Sequence, residues 1–384
     1  DYPAPEDGTF AVYADGGPTP FYGRNTELLR IGIKAREVTE RQRANMNLTL
    51  VIDTSGSMDS DEKLDLVKDA LLVLVDELDR HDTVAIVTYS TEADVALEPT
   101  AADSIGAIRR VVRDLDADGT TNAEAGLRLG YDLADEMFNR DEVNRVVLIS
   151  DGVANVGRTG PEGILDRIGD RTRDGIDLVT IGVGIETYND VLLEQLADQG
   201  DGWYAYIDTA DEAERLFRDG LTTSLEAVAR DVKVQVDFDD ELVREYRLIG
   251  FENRALDADD FRDDSVDAGE VNAGHAVTAL YELELTQAAY RSGDPFATVR
   301  LRWEEADGSV QETEGEVSVG HLAERYGDTT DWFQVAATVA AYAEVLRDSP
   351  YLDMDLDDVL DEARELDARG SDVDEFVTLV RRAA

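Results

Sequence analysis

Between Asn47 and about Ser224, short apolar runs alternate with longer stretches of helical periodicity, and few folds accept that alternation. Leu48 to Ile52, Thr83 to Tyr89, Val146 to Ile149, Leu178 to Val183 and Trp203 to Ile207 are rich in β-branched or aromatic residues and are bounded by Asp, Gly or Ser. They read as strands, the middle ones buried on both faces as parallel strands are. Between the first two, Leu64, Val67, Leu71, Leu74, Val75 and Leu78 recur at three and four residues, which gives a helix one apolar face. The alternation predicts an α/β domain over 46–225, with a central, mostly parallel sheet flanked by helices.

Beyond about residue 226 the period falls to two. Val232, Val234, Val236 and Phe238 alternate with polar residues, as do Val277 to Leu285 and Val299, Leu301 and Trp303, with a further strand expected near Val317 and Val319. One apolar face per strand predicts an antiparallel, sandwich-like β domain over 226–325. Leu29, Ile31 and Ile33 alternate in the same way, so the N-terminal segment 1–45 is expected to pair with that later domain and to make the α/β domain an insertion. From about Thr330 the pattern is helical again, and 326–384 reads as a C-terminal helical region, with Ser371 and Asp374 resembling a capping box. The Asp-rich segment 257–267 reads as a long acidic loop without the ligand spacing of a calcium loop.

Composition removes several function classes. The 86 acidic against 36 basic residues leave a formal charge of −50, and the lysines are Lys34, Lys63, Lys68 and Lys233 alone. Without a basic footprint to displace phosphate counterions, nucleic acid is excluded as a partner. Such a surface repels itself in ordinary salt, whereas at about 1 M salt the screening length is about 3 Å; a salt-loving host is expected. The absence of cysteine excludes disulfides and thiolate chemistry. His81, His275 and His321 are scattered singly, which leaves a zinc enzyme little to build on. No apolar run approaches a membrane span, and the first residues lack the basic flank and apolar centre of an export signal. Any leader or anchor is expected outside this sequence.

Three fragments carry the chemistry: Asp53-Thr54-Ser55-Gly56-Ser57, Gly119-Thr120-Thr121-Asn122 and Ser150-Asp151-Gly152. Each falls where a loop would leave the carboxyl edge of the sheet, the edge at which open α/β sheets hold ligands. A hard cation of the Mg²⁺ type takes octahedral oxygen ligands and keeps some waters. Asp53, Ser55 and Ser57 can turn toward one point as the chain leaves its strand, with Thr121 adding a hydroxyl and Asp151 a second carboxylate. Two formal charges then face the ion, leaving it electron-poor at an open position. Each fragment also has an ordinary reading: a turn or cap for the first, a Thr121 and Glu124 capping box for the second, a plain turn for the third. Their joint occurrence, in order and beside the right elements, favours the metal.

This set resembles the metal-ion-dependent adhesion site of the von Willebrand factor type A family, a Rossmann-like α/β fold. The resemblance implies that Ser55, Ser57 and Thr121 touch the ion directly while Asp53 and Asp151 act partly through waters. It favours Thr121 over Thr120, and Mg²⁺ with Mn²⁺ or Ca²⁺ as alternatives. Arg30 to Lys34, Asn144 to Leu148, Asn155-Val156-Gly157, Tyr204 to Thr209 and Tyr246 to Arg254 further resemble the bacterial YfbK-type lipoproteins over nearly the whole chain. That resemblance implies an extracytoplasmic, membrane-anchored setting. The resulting expectation is a non-enzymatic adhesion-type module that binds another protein, the partner's carboxylate completing the metal's coordination. The alternatives are a scaffold that binds through its β and helical regions, and a metal-dependent hydrolase.

Overall fold

The computed structural model of the chain describes residues 2–22, 26–38, 43–151, 175–184, 190–200, 202–221, 227–250, 258–263, 266, 269–305, 308–352, 354–366 and 370–384. The chain divides into two compact units, one comprising Asp1–Arg36 with Val228–Ala384 and the other Glu37–Ala227.

Strands β1 (Phe10–Pro18) and β2 (Glu27–Ala35) belong to the first unit. The second unit is built on β3 (Met46–Asp53), β4 (Thr83–Tyr89), β5 (Ala93–Ala101), β6 (Val143–Ser150), β7 (Asp177–Val183) and β8 (Tyr204–Ile207). Their spatial order is β5-β4-β3-β6-β7-β8, parallel throughout except for β5, which runs antiparallel to β4. Strand β5 is a departure from the sequence reading: Pro99 and a half-exposed, weakly apolar run hide it, and both traits suit an edge position.

Side chains leave β3 to opposite faces, so Leu48, Leu50 and Ile52 pack with α1 (Lys63–Glu77) and α2 (Ile105–Arg113), while Val51 packs with α3 (Ala123–Met137) and α4 (Asp190–Gln199). A short α5 (Ala210–Arg215) adds Ala213 to the first of these cores. Helix α3 turns Gly126 and Gly130, one turn apart, toward the sheet, where neither has room for a side chain. A Cβ on Gly126 would stand 2.5 Å from the Tyr89 ring and one on Gly130 2.4 Å from Val51 Cγ2.

The amino edge of the sheet is pinned by Asp82, which is fully buried and fully bonded. Its carboxylate accepts from the Arg43 guanidinium at 2.9 and 2.7 Å, from the Met46 amide at 2.9 Å and from the Asp79 amide at 2.7 Å. Four donors to one buried carboxylate meet the demand that such a charge makes on its surroundings.

The first unit holds two four-stranded antiparallel sheets, formed with β9 (Ala227–Phe238), β10 (Val243–Leu248), β11 (Val271–Asn272), β12 (Ala276–Leu285), β13 (Ala297–Glu304) and β14 (Val310–Val317). Their orders are β1-β2-β12-β10 and β11-β9-β13-β14. Strand β2 sits between β1 and β12, with Ile31 opposite Ala279 and Ile33 opposite Val277. Leu29 and Ile31 from one sheet meet Val299 and Val317 from the other in a shared core, the layered packing of a β-sandwich.

After the short α6 (Gln287–Ser292), the C-terminal helices α7 (Asp331–Leu346), α8 (Leu356–Glu365) and α9 (Ser371–Ala383) share an apolar cluster with Phe21, Tyr22 and Leu28. β14 ends at Val317, and Val319 instead opens a single 3₁₀ turn. Gly370, not Ser371, caps α9; the reciprocal box belongs to Asp355 and Asp358 at α8. Ala258–Arg262 of the acidic segment forms a 3₁₀ helix. Asn155-Val156-Gly157, Gly152 and Phe251 to Arg254 lie outside the described residues. Among the described residues no helix is long and apolar enough to cross a membrane.

Candidate metal centre

The strand order reverses at β3: the chain runs outward through β4 and β5, then returns to place β6 on β3's other side. The carboxyl ends of β3 and β6 therefore flank the switch point of the sheet, where the loops diverge and leave a crevice. Asp53 ends β3, and Asp151 directly follows β6. Both carboxylates are 0 % exposed.

Backbone hydrogen bonds stitch the loops together. The Thr54 amide donates to the Tyr89 carbonyl at 2.9 Å, the Gly56 amide to the Gly119 carbonyl at 3.1 Å and the Asp118 amide to the Thr54 carbonyl at 2.8 Å. The loop that carries Thr121 is thereby held on the loop that carries Ser55 and Ser57. Helix α3 is capped by the Asn122 side chain, which accepts from the Ala125 amide at 3.2 Å. Thr121 is thus not the capping residue that its spacing from Glu124 allowed. The two adjacent threonines have different fates: Thr120 is exposed and donates to Thr91 Oγ1 at 3.1 Å, whereas Thr121 is buried.

Asp53 is held from three sides. Its Oδ1 accepts from the Ser55 amide at 2.9 Å, and its Oδ2 accepts from the Ser150 hydroxyl at 2.8 Å and the Tyr89 hydroxyl at 3.3 Å. Burial nevertheless pushes this carboxyl up to about 6; the Ser55 and Ser150 bonds pull it back, and the neighbouring charge of Asp151 adds to the rise. Burial likewise drives the Tyr89 phenol well above its ordinary value, with Asp53 contributing. Asp151 Oδ2 accepts from the ammonium of Lys63 at 3.2 Å, and that lysine is itself 4 % exposed.

Burial is the rule for lysine in this chain: Lys34 (5 %) donates to the Gly274 carbonyl, and Lys233 (1 %) to the Asp263 carbonyl. Ser150, Tyr89 and Lys63 were not foreseen as parts of the centre. Lys63 alone carried a usable signal, as one of four lysines placed ten residues after Asp53.

The donor set suits a hard divalent cation. Ser55 Oγ and Ser57 Oγ lie 3.1 Å apart, close to the roughly 3 Å edge of an octahedron with the bond lengths of about 2.0 to 2.1 Å that Mg²⁺ requires. Two buried carboxylates face a single described ammonium, so a negative charge is left over for a cation to neutralise. Asp53, Ser55 and Ser57 are linked by direct contacts; Asp151 is close enough to Asp53 to act on its charge, and Thr121 is placed through the loop pairing at Gly56.

Comparison with known proteins agrees with this architecture. The family model of the von Willebrand factor type A domain matches residues 47–219, and that of the C-terminal region of the uncharacterized protein YfbK matches residues 223–384. The chain is 35 % identical over 366 residues to the uncharacterized protein YfbK of Escherichia coli (strain K12), an alignment covering 91 % of this chain and 63 % of that protein. It is 29 % identical over 159 residues to human inter-alpha-trypsin inhibitor heavy chain H4, covering 39 % of this chain and 17 % of that one. The chain thus spans less than two thirds of the length of these relatives.

Among solved structures, a von Willebrand factor type A protein from Catenulispora acidiphila shares the fold with a TM-score of 0.57 at 19 % identity, covering 97 % of this chain and 89 % of that chain. The chain therefore carries a von Willebrand factor type A domain joined to a C-terminal region of the YfbK type.

Proposed function

We propose that this chain is a metal-ion-dependent, adhesion-type protein-binding module that works outside the cytoplasm and is not an enzyme. Ser55, Ser57 and Thr121 ligate a Mg²⁺-type ion directly, Asp53 and Asp151 hold it partly through water, and a carboxylate of the partner protein takes the remaining position. The observation that carries this reading is the pairing of two fully buried carboxylates with two hydroxyl oxygens 3.1 Å apart at the sheet's switch point.

Binding rather than hydrolysis is supported by the placing of His81, which precedes β4 at the amino edge of the sheet, the end opposite Asp53, and accepts from Arg80 Nε at 3.0 Å. The extracytoplasmic setting rests on the likeness to YfbK-type proteins. The acidic, lysine-poor surface supports a salt-rich one, in which long-range repulsion of an acidic partner is screened while the short bond to the ion is kept.

The test is recovery of a partner from native envelope in Mg²⁺, in chelator and with Asp53→Ala. Recovery in Mg²⁺ alone, undiminished as salt rises, is expected; equal recovery in all three would remove the reading.

A second reading, in which the YfbK-type unit binds and the ion only stiffens loops, is favoured by α7. Trp332, Val339 and Leu346 are 43, 41 and 57 % exposed and lie one heptad apart on a single face. Loss of the partner with Trp332→Ala but not with Asp53→Ala would select it.

A further inference from the structure

We propose that Lys63 is a resident counter-cation of the metal centre: it weakens the hold on the divalent ion and strengthens the loaded centre's hold on a carboxylate. The inference rests on the metal reading above and assigns that site a residue and a division of labour.

Lys63 is the first residue of α1, and its ammonium meets Asp151 Oδ2 at 3.2 Å, both side chains being at most 5 % exposed. Its stem runs along the main chain of Gly184, just beyond β7. A Cβ there would stand 2.5, 3.0 and 3.2 Å from the Cε, Cδ and Cγ of Lys63, and the Gly184 φ of +94° is one that side chains rarely adopt. The backbone thus clears a path that ends on the carboxylate. A buried ammonium needs partners that repay its desolvation, and for this one of four lysines the partner is a carboxylate of the centre.

Charge counting gives the consequence. Asp53 and Asp151 alone would balance the charge of a divalent ion, so an anionic ligand would be held by the ion's open coordination position with no net charge of the centre to add to it. Counting these three described groups, the loaded centre keeps one positive charge with Lys63 in place, while an incoming dication meets an ammonium already seated on one of its carboxylates. In a buried, low-dielectric site both effects are strong. The lysine therefore moves the two affinities in opposite directions, which no purely structural role would do.

The experiment is calorimetric titration of the full chain, first with Mg²⁺ and then, at metal saturation, with sodium acetate as the carboxylate probe. It compares wild type with Lys63→Met, Lys63→Gln and Lys63→Arg. Both uncharged variants are expected to bind Mg²⁺ about tenfold tighter or more and acetate about fivefold weaker or more, given the strength of charge pairs at low dielectric. Glutamine keeps a hydrogen-bond donor for Asp151 if methionine impairs folding, and Lys63→Arg should restore both constants toward wild type. If wild type binds Mg²⁺ but neither constant changes, or both fall together, the role of Lys63 is wrong and the metal reading stands. If wild type binds no divalent ion, the metal reading fails and takes this inference with it.

Discussion

Asp53→Asn isolates the energetic role of one buried charge. In the metal-free protein the Asp53 carboxyl is raised from 3.8 to about 6, chiefly by burial. A raised acid means that the folded state prefers the proton, so its contribution to stability is fully present below pH 3.8 and is lost as pH rises through about 6. A gap of about two pH units makes the ionised group cost the fold about 3 kcal/mol at pH 8 and roughly half of that at pH 5.

Asparagine can keep the two shorter contacts, though the nitrogen that replaces Oδ2 cannot accept from the Tyr89 hydroxyl at 3.3 Å. Its carbonyl accepts from the Ser55 amide, now at 2.9 Å from Oδ1, and its amide donates to the Ser150 hydroxyl, now at 2.8 Å from Oδ2, because a hydroxyl serves either role. In chelator the variant should therefore exceed wild type by about 1 to 3 kcal/mol at pH 8, and by about half as much at pH 5. Saturating Mg²⁺ should reverse the order, since an ion that binds the folded state stabilises wild type alone.

Scanning calorimetry of both proteins in fixed salt, with and without Mg²⁺, follows the transition that the substitution displaces. A sequence pI near 4.1 keeps the comparison at pH 5 and above. A variant less stable than wild type by the same margin at both pH values, in chelator, would refute the reasoning.

At the opposite edge of the sheet, Asp82→Ala strips the buried Arg43 guanidinium and two backbone amides of their acceptor. A loss of about 3 to 5 kcal/mol is expected, read as the shift of the denaturation midpoint; a loss below about 1 kcal/mol, the worth of an exposed pair, would show that the pair is solvated. Gly130→Ala drives a methyl against Val51 Cγ2 and should cost about 1 to 3 kcal/mol by overpacking. Adding Val51→Ala should return part of that loss, and strict additivity of the two changes would mean that α3 and β3 are not in contact.

The α/β fold was readable because its signal is periodicity, which burial on both faces of β3, β4, β6 and β7 forces into apolar runs. What escaped was shaped by other forces. Strand β5 hangs at the edge with Pro99 toward its end, and β1 is half-buried and glycine-bearing, so neither shows a continuous apolar face. Val319 alternates correctly with Val317 yet belongs to a turn, since a two-residue match cannot tell a strand's end from the turn after it.

In the candidate centre, residue types and spacing pointed to Asp53, Ser55, Ser57, Thr121 and Asp151 as one group. The preference for Thr121 over Thr120 came from the resemblance, and the structure adds that Asn122 takes the capping role and Thr91 engages Thr120. The signal that Lys63 carries, a rare lysine soon after Asp53, has no meaning on the apolar stripe of α1 until the carboxylate it meets is seen.

Withdrawal of lysine into the interior also decides how this molecule meets covalent chemistry. Of its four lysine amines only Lys68, on α1 with a side chain 22 % exposed, is offered to the surroundings. Acylating reagents, aldehyde fixatives and lysine-directed proteases would find an almost blank exterior. Anything coupled through a lysine would hang from one known point on one helix, which makes the protein a naturally oriented ligand for surface-immobilised measurement.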